Sequence, residues 1–249
     1  MNATARLVRA EVRKLVTTRA LPVSAVIAAV LAVASVLIDA TVAGKNGQPA
    51  LGSTADTYEM LKLGVVSTVV MLIIGILAAG GEFRHRTIVP ALLGTPHRTR
   101  LFVVKVAVIA VTGAIFSAVL FGLGLGTIAA ALAAHGIHHL PAQTGRLYLG
   151  SVISGACFGM IGVALGTLTR NTVGAIVAAI GWALFVEEIL LQTVAPHLDK
   201  WLPVGASIGL TNPPSASVLP PMAAGLVLTG YAAVLLLLAS RTTIRRDIG

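Results

Sequence analysis

Long stretches without a charged side chain constrain this sequence more than any other feature. Residues 20–38 and 63–81 each contain nineteen residues without a charge, and residues 106–134 form a longer uncharged stretch. A helix rises about 1.5 Å per residue, so nineteen residues extend about 28 Å, close to the thickness of the hydrocarbon core of a bilayer. These stretches therefore predict membrane-spanning helices rather than the interior of a soluble domain.

Three further apolar stretches bring the predicted number of spans to six. The predicted spans are residues 20–38, 63–81, 106–134, 147–169, 173–191 and 222–240. Hydrophobic residues make up 56% of the chain, aromatic residues only 4%, and the mean hydropathy is +0.93. This composition favours closely packed helices over a β-barrel with aromatic girdles. We expect one all-α, polytopic transmembrane domain covering residues 1–249.

The basic residues predict the orientation of these spans. Six spans place both termini on one side, and fourteen of the 18 Lys and Arg residues then fall on that side, against four opposite. Cytoplasmic segments of membrane proteins carry such an excess of basic residues. We therefore predict a multi-pass protein of the cell membrane with cytoplasmic termini. The net charge of +9 then requires no nucleic-acid partner.

Three segments outside the spans have patterns of their own. Residues 1–19 place apolar residues on one helical face and Arg6, Arg9 and Arg13 on another, which predicts an interfacial helix on anionic lipid; a basic anchor tail is the alternative. Residues 192–221 contain six prolines, which indicates short helices that re-enter the outer leaflet. Residues 241–249 are predicted to form a cytoplasmic tail.

The segment 82–105 is the longest predicted cytoplasmic loop, and it contains a short apolar helix. Thr87 suits the N-cap, Pro90 suits the first turn, and Gly94 followed by Pro96 ends the helix. Leaving this helix in water forfeits about 1.5 kcal/mol or more per large side chain, so a partner surface is expected. The alternative is packing against the protein's own helix ends.

No pattern typical of an enzyme active site is present. The sequence lacks a Gly-x-x-x-x-Gly-Lys-Ser/Thr phosphate loop, and its nine acidic residues are scattered. His135, His138 and His139 have helical spacing, but no Cys or carboxylate is near enough to complete a metal site. We therefore predict an interfacial histidine cluster, and neither a catalytic residue, a metal nor a cofactor in this chain.

Two kinds of residue within the spans are functional or packing candidates. Glu187 and Glu188 lie near the outer end of the fifth span and are candidates for an outer gate, because a carboxylate in hydrocarbon is costly; the alternative is that the helix has reached the headgroups there. Small residues at four-residue intervals predict close helix packing within the subunit or across a dimer. These glycines are Gly122, Gly126, Gly155, Gly159, Gly162 and Gly166.

The segment 82–105 resembles the region after the second span in permease subunits of ABC-2 transporters. The matching residues are Glu82-Phe83-Arg84, Thr87, Leu92-Leu93, Thr95-Pro96, Arg98 and Lys105. Arg86 and Val104 stand where the family has glycine. Weaker similarities are the basic N-terminal helix, the turn at residues 166–171 and Trp201-Leu202-Pro203.

This resemblance implies a permease dimer, formed from identical or different subunits, on two cytoplasmic ATP-binding subunits that hold the ATP and Mg. The short helix would then be the coupling helix. Its expected contacts with the ATPase are made by Ile88, Val89, Leu92 and Leu93 after the cap at Thr87, with ion pairs from Glu82, Arg84 and Arg86. Export is implied by the family, and an uncharged interior suits a lipophilic drug, antibiotic or lipid.

Two other functions are compatible with the residues. One is an ATP-independent channel or secondary transporter, with Glu187, Glu188 and the histidines as ion sites. No span carries a charge near its middle and no inverted repeat is visible, which argues against it. The other is a membrane anchor or sensor that recruits a soluble protein through residues 82–105.

Overall fold

The computed structural model describes residues 3–43, 45, 52–53, 64–84, 98–169, 171–191, 193, 196–212 and 218–245. These residues form helices joined by turns and short connections, and no β-strand occurs among them. The predicted all-α class is therefore confirmed for the described part of the chain.

The helices are numbered here in chain order. They are α1 (Ala3–Thr17), α2 (Ala20–Val42), α3 (Gly64–Arg84), α4 (Arg98–Ala134), α5 (Thr144–Thr169), α6 (Thr172–Gly181), α7 (Pro196–Asp199), α8 (Pro203–Thr211) and α9 (Pro221–Arg245). A π-helix, Trp182–Leu191, continues α6, because the backbone N–H of Trp182 still bonds to the carbonyls of Ala178 and Ala179.

Four helices are long and apolar enough to cross a membrane: Ala20–Val42, Thr99–Ala134, Thr144–Thr169 and Pro221–Thr242. Two shorter apolar helices, Val66–Gly81 and Thr172–Glu187, coincide with the second and fifth predicted spans. The chain thus has the character of a multi-pass membrane protein. The number of six spans and the side on which the termini lie stay predictions.

α4 differs most from its predicted bounds. It begins at Arg98, well before residue 106, and contains 37 residues. At about 1.5 Å per residue it is roughly 55 Å long, which exceeds the hydrocarbon thickness of about 30 Å. α4 is therefore longer than one crossing requires, and the predicted loop at residues 82–105 is helical at both of its ends.

α5 is the central helix of the bundle. α3, α4 and α9 pack against it. In the most apolar segment of α5, 67% of the residues are buried within the protein, compared with 17% in α2. α2 packs mainly against α4 and leaves a row of large apolar side chains exposed: Val23, Val26, Ile27, Val30, Leu31, Leu37 and Ile38. Such a surface is suited to lipid rather than water.

Glycines allow α5 to approach its neighbours closely. At Gly162, an added Cβ would collide with the carbonyl oxygen of Leu72 and approach the Cα of Gly75 in α3. At Gly155, it would collide with the backbone of Gly113 in α4. Small residues at these positions let the helix backbones touch, which is how helices gain contact area in lipid.

The six glycines expected to support helix packing divide into two groups. Gly155, Gly159, Gly162 and Gly166 lie against α3 or α4. Gly122 and Gly126 of α4 meet no described atom within 4 Å where a Cβ would be. Within the described residues, Gly122 and Gly126 therefore bring no neighbouring helix close to α4. Close packing of these two glycines across a dimer interface stays a prediction.

Gly136 ends α4. Its φ of +75° lies in the left-handed region, which glycine adopts without steric cost. Its N–H bonds to the carbonyl of Ala133, and the N–H of Ile137 bonds to that of Leu132. These two bonds form a Schellman motif, which stops the helix after Ala134.

This helix end separates the three histidines. His135 lies at the cap, where its Nδ1 is 3.0 Å from the carbonyl oxygen of Ala131, while His138 and His139 follow in a non-helical connection. The helical arrangement that the spacing i, i+3, i+4 suggested is therefore absent, while an interfacial histidine cluster stays a prediction. The described residues contain no group of three potential metal ligands.

The two ends of the bundle are built from different elements. At one end, Thr172 at the start of α6 lies beside Gly80 near the end of α3, and α1 packs against α4. We call this the α1 end. At the opposite end, Arg146 of α5 donates a hydrogen bond of 2.7 Å to the carbonyl oxygen of Asn212, after α8. The predicted coupling segment leaves α3 and enters α4 at the α1 end.

Candidate functional site

The facing ends of α3 and α4 form the candidate site, because they flank the predicted coupling segment. Glu82 and Arg84 lie in the last turn of α3, and α4 begins at Arg98. The other proposed contact residues lie outside the described residues: Arg86, Thr87, Ile88, Val89, Leu92 and Leu93. Their short helix and their contacts with an ATPase stay predictions.

A buried ion pair holds the helices around this segment. The Nζ atom of Lys105 in α4 lies 3.1 Å from Oε2 of Glu11 in α1, and each side chain is only 7% exposed. The same ammonium donates a hydrogen bond of 3.2 Å to the carbonyl oxygen of Ala78 in α3. One lysine therefore joins α1, α3 and α4 at the α1 end.

A second lysine contacts the other oxygen of Glu11. Nζ of Lys14 lies 2.6 Å from Oε1, three residues along α1, but its side chain is 49% exposed. The two lysines therefore differ in burial although they share one carboxylate. A buried ion pair is sensitive to the loss of one partner, whereas an exposed pair contributes about 0–1 kcal/mol.

Glu11 belongs to the face of α1 that packs on the protein. Thr4, which accepts a hydrogen bond from Arg100 of α4, lies on the same face. The face includes Thr4, Leu7, Glu11 and Leu15, which are buried or half-buried. Val8, Val12 and Val16 form a second stripe that is exposed. The predicted apolar stripe is thus divided between the protein and the surroundings, which leaves the valines free to contact lipid.

A cavity of about 380 Å³ adjoins the ion pair. Its walls come from α1, α2, α3, α4 and α6, and they include the polar side chains of Glu11, Lys14, Thr18, Lys105 and Thr172. The hydroxyl of Thr172 is buried there without a hydrogen-bond partner. The ion pair is therefore not enclosed by dense packing on every side, and adjoining side chains have room to move.

The second candidate, Glu187, occupies a buried position in the π-helix. Its side chain is held by the chain itself: Nε1 of Trp182 donates to Oε1 at 2.7 Å, and the backbone N–H of Val204 donates to Oε2 at 2.8 Å. Only 1% of the residue is exposed. The protein itself therefore shields this carboxyl group, and both the outer-gate role and the alternative of a headgroup position stay predictions. The side chain of Glu188 lies outside the described residues.

The π-helix explains why Trp182 meets Glu187. In an α-helix, residues five apart point in directions that differ by about 140°. A π-helix instead closes its hydrogen bonds between residues five apart, so Trp182 and Glu187 lie on one face. The backbone N–H of Val204, at the start of α8, donates a hydrogen bond to the same carboxylate. Glu187 thus caps α8, whose own N-cap residue Leu202 has no side-chain oxygen.

Neither set of contacts, around Glu11 or around Glu187, was predicted from the sequence. Glu11 was counted among scattered acidic residues, although it is the sole acidic residue of α1. Lys105 is likewise an isolated charge in the apolar stretch that begins with Leu101. A sole acidic residue in a basic helix and a sole lysine in an apolar stretch are together a usable signal for an ion pair. No corresponding signal identifies the backbone of Val204 as a partner of Glu187.

A comparison with protein-family models finds no match for this chain, and a comparison with curated proteins finds none either.

Proposed function

We propose that this chain is the membrane-spanning permease subunit of an ATP-driven ABC exporter. The observation that carries the proposal is the Glu11–Lys105 pair, which joins α1, α3 and α4 beside the segment that resembles a coupling loop. A loop that receives force from an ATPase must be connected firmly to the membrane-spanning helices, because force on a loosely attached loop would not reach them. The resemblance of residues 82–105 to ABC-2 permeases supplies the identity of the partner.

In the proposed mechanism, the ATP-binding subunits close on ATP and Mg and push the coupling helices. Ile88, Val89, Leu92 and Leu93 enter a groove of the ATPase, while Glu82, Arg84 and Arg86 form ion pairs around it. α3 and α4 then move together with α1, because Lys105 contacts all three helices. The movement opens a path between the two permease subunits of a dimer.

The proposed orientation places the α1 end, with both chain termini, in the cytoplasm. The positive-inside distribution of Lys and Arg supports this orientation. The proposed substrate is lipophilic, since the spans offer few polar groups for a polar metabolite.

The proposal is tested by purifying the tagged, full-length protein gently from its host. A nucleotide-binding ATPase is expected in a near-equal amount. Replacing Leu92 and Leu93 by Asp is expected to release the ATPase and abolish ATP-driven transport while the permease stays inserted. The matched control is Leu140→Asp, an exposed leucine in the connection between α4 and α5.

Three outcomes contradict the proposal. If the protein purifies without an ATPase and still transports, an ATP-independent transporter is favoured. If a soluble partner co-purifies but nothing is transported, an anchor or sensor is favoured. Unchanged coupling in the doubly substituted protein would show that residues 92 and 93 do not contact the ATPase.

A further inference from the structure

A second cavity, of about 350 Å³, lies beside Glu187 and shares no lining residue with the cavity at the Glu11–Lys105 pair. Its walls come from α3, α5, α6 with its π-helix, α8 and α9, and they are mainly aliphatic and aromatic. Glu187 is the one charged residue in this wall. Small-molecule sites in proteins typically measure about 300–1,000 Å³ and combine apolar walls with a few polar groups.

The charge of Glu187 is not balanced by a cation of this chain within the described residues. Its donors are the indole N–H of Trp182 and the backbone N–H of Val204, both of which are neutral. Asp199, which acts on Glu187 electrostatically, is itself acidic. The surroundings therefore hold the carboxyl group in place without supplying a positive counter-charge.

The carboxylate also retains hydrogen-bonding capacity toward the cavity. Two carboxylate oxygens offer about four acceptor sites, and two donors occupy them among the described residues. A buried carboxylate in apolar surroundings is expensive, so such residues in membrane proteins mark binding sites or ion paths unless they are paired. An occupant that supplied a positive charge would complete the pair.

We propose that this cavity binds a small lipophilic ammonium cation, whose charged head pairs with Glu187 and whose apolar part lies against the cavity wall. Phe158 and Tyr231 contribute aromatic rings to that wall. Aromatic faces attract cations by about 0.5–2 kcal/mol, so these rings favour the same class of ligand. A neutral lipophilic molecule would fill the volume but leave the carboxylate unpaired.

This site lies within a single subunit, and binding there does not require the proposed ATPase. A direct binding measurement therefore separates the two proposals. Loss of the ATPase partner would not alter the expected binding, and absence of binding would not contradict an exporter.

The test uses the full-length protein in lipid–detergent micelles, with Trp201→Phe as the background so that Trp182 is the single fluorescent reporter. The probes are benzyltrimethylammonium and neopentylbenzene, which have the same shape but differ in charge. The cation is expected to change the Trp182 emission saturably and to bind more tightly than the neutral probe. Glu187→Gln is expected to weaken cation binding on the order of tenfold or more, without weakening neopentylbenzene binding.

Ala178→Phe is the second variant, because Ala178 lines the cavity and the substitution keeps Glu187 intact. Filling the cavity in this way is expected to abolish binding of both probes. The Ala178→Phe variant also shows whether the probes bind in this cavity if Glu187→Gln fails to fold. Equal affinity for the two probes, no binding to the unsubstituted cavity, or undiminished cation binding in either variant would overturn the proposal.

Discussion

Lys105 and Glu11 form a buried ion pair across 94 residues of sequence, with Nζ of the lysine 3.1 Å from Oε2 of the glutamate. Moving two charges out of water is expensive, so a buried pair is by itself weak evidence of stability. We expect this pair to favour one orientation of α1, because Glu11 lies on the face of α1 that packs on the bundle. A packed face without a charge would slide or rotate more easily on the apolar ends of α3 and α4.

Lys105→Met is expected to lower the free energy of unfolding by about 1–3 kcal/mol, because it leaves the buried carboxylate of Glu11 with only the partly exposed Lys14 as a charged partner. Reversible unfolding in mixed micelles measures this change. Adding Glu11→Gln to Lys105→Met is expected to cost less than the sum of the two single changes, since the residues interact directly.

Lys14→Met is the matched control for this cycle. It removes a lysine from the same carboxylate, but its side chain is 49% exposed, so an effect below about 1 kcal/mol is expected. Equal losses for Lys14→Met and Lys105→Met would mean that burial does not distinguish the two pairs.

Gly162→Ala is expected to destabilise the bundle by about 1–3 kcal/mol, because the new methyl group meets the backbone of α3 at Leu72 and Gly75 and neither can move alone. Gly122→Ala supplies the control, since the same methyl group at that position meets no described atom. It should leave the stability unchanged or slightly raised, as Ala is the better helix former. A thermal unfolding series that ranks the two variants in the opposite order would contradict the described packing.

Local patterns predicted the helices well and their partners poorly. Uncharged stretches identify α2, α4, α5 and α9 because the length and apolarity needed to cross a bilayer are local properties. The four-residue spacing in α5 identified Gly155 and Gly162 as packing positions, but the same spacing in α4 selected Gly122, which packs on nothing described. The spacing of small residues indicates a helix face on which another helix can approach closely. It does not indicate which helix packs there.

The candidate sites show the same limit. Glu11 and Lys105 meet only because α1 folds back along α4, and nothing in either local sequence encodes that direction. Glu187 meets Trp182 only because the chain adopts π-helical geometry, whereas an α-helical reading separates them. The spacing of the three histidines misleads for the opposite reason, since it is helical in sequence but crosses Gly136, the glycine that ends α4.

Gly136→Ala is expected to destabilise the end of α4 by about 1–2 kcal/mol, because an L-residue at a φ of +75° is strained by its Cβ. Gly145→Ala is the control on the other side of the same connection, where a Cβ meets no described atom. Hydrogen exchange of the amides of Gly136 and Ile137 should accelerate in the first variant alone. Similar exchange in both variants would show that the Schellman bonds do not depend on glycine.

Trp182→Phe is expected to lower the free energy of unfolding by about 1–3 kcal/mol, because it removes the indole donor from a carboxylate that is 1% exposed. The loss should extend to α8, since the same carboxylate caps that helix through Val204. Trp201→Phe provides a matched control, because Trp201 is as exposed as Trp182 (49% and 50%) and the substitution likewise replaces an indole by a phenyl ring. Proteolysis within residues 203–211 should therefore become faster in the Trp182 variant but not in the Trp201 variant. Equal protection of α8 in both proteins would mean that the indole of Trp182 does not position Glu187 as its cap.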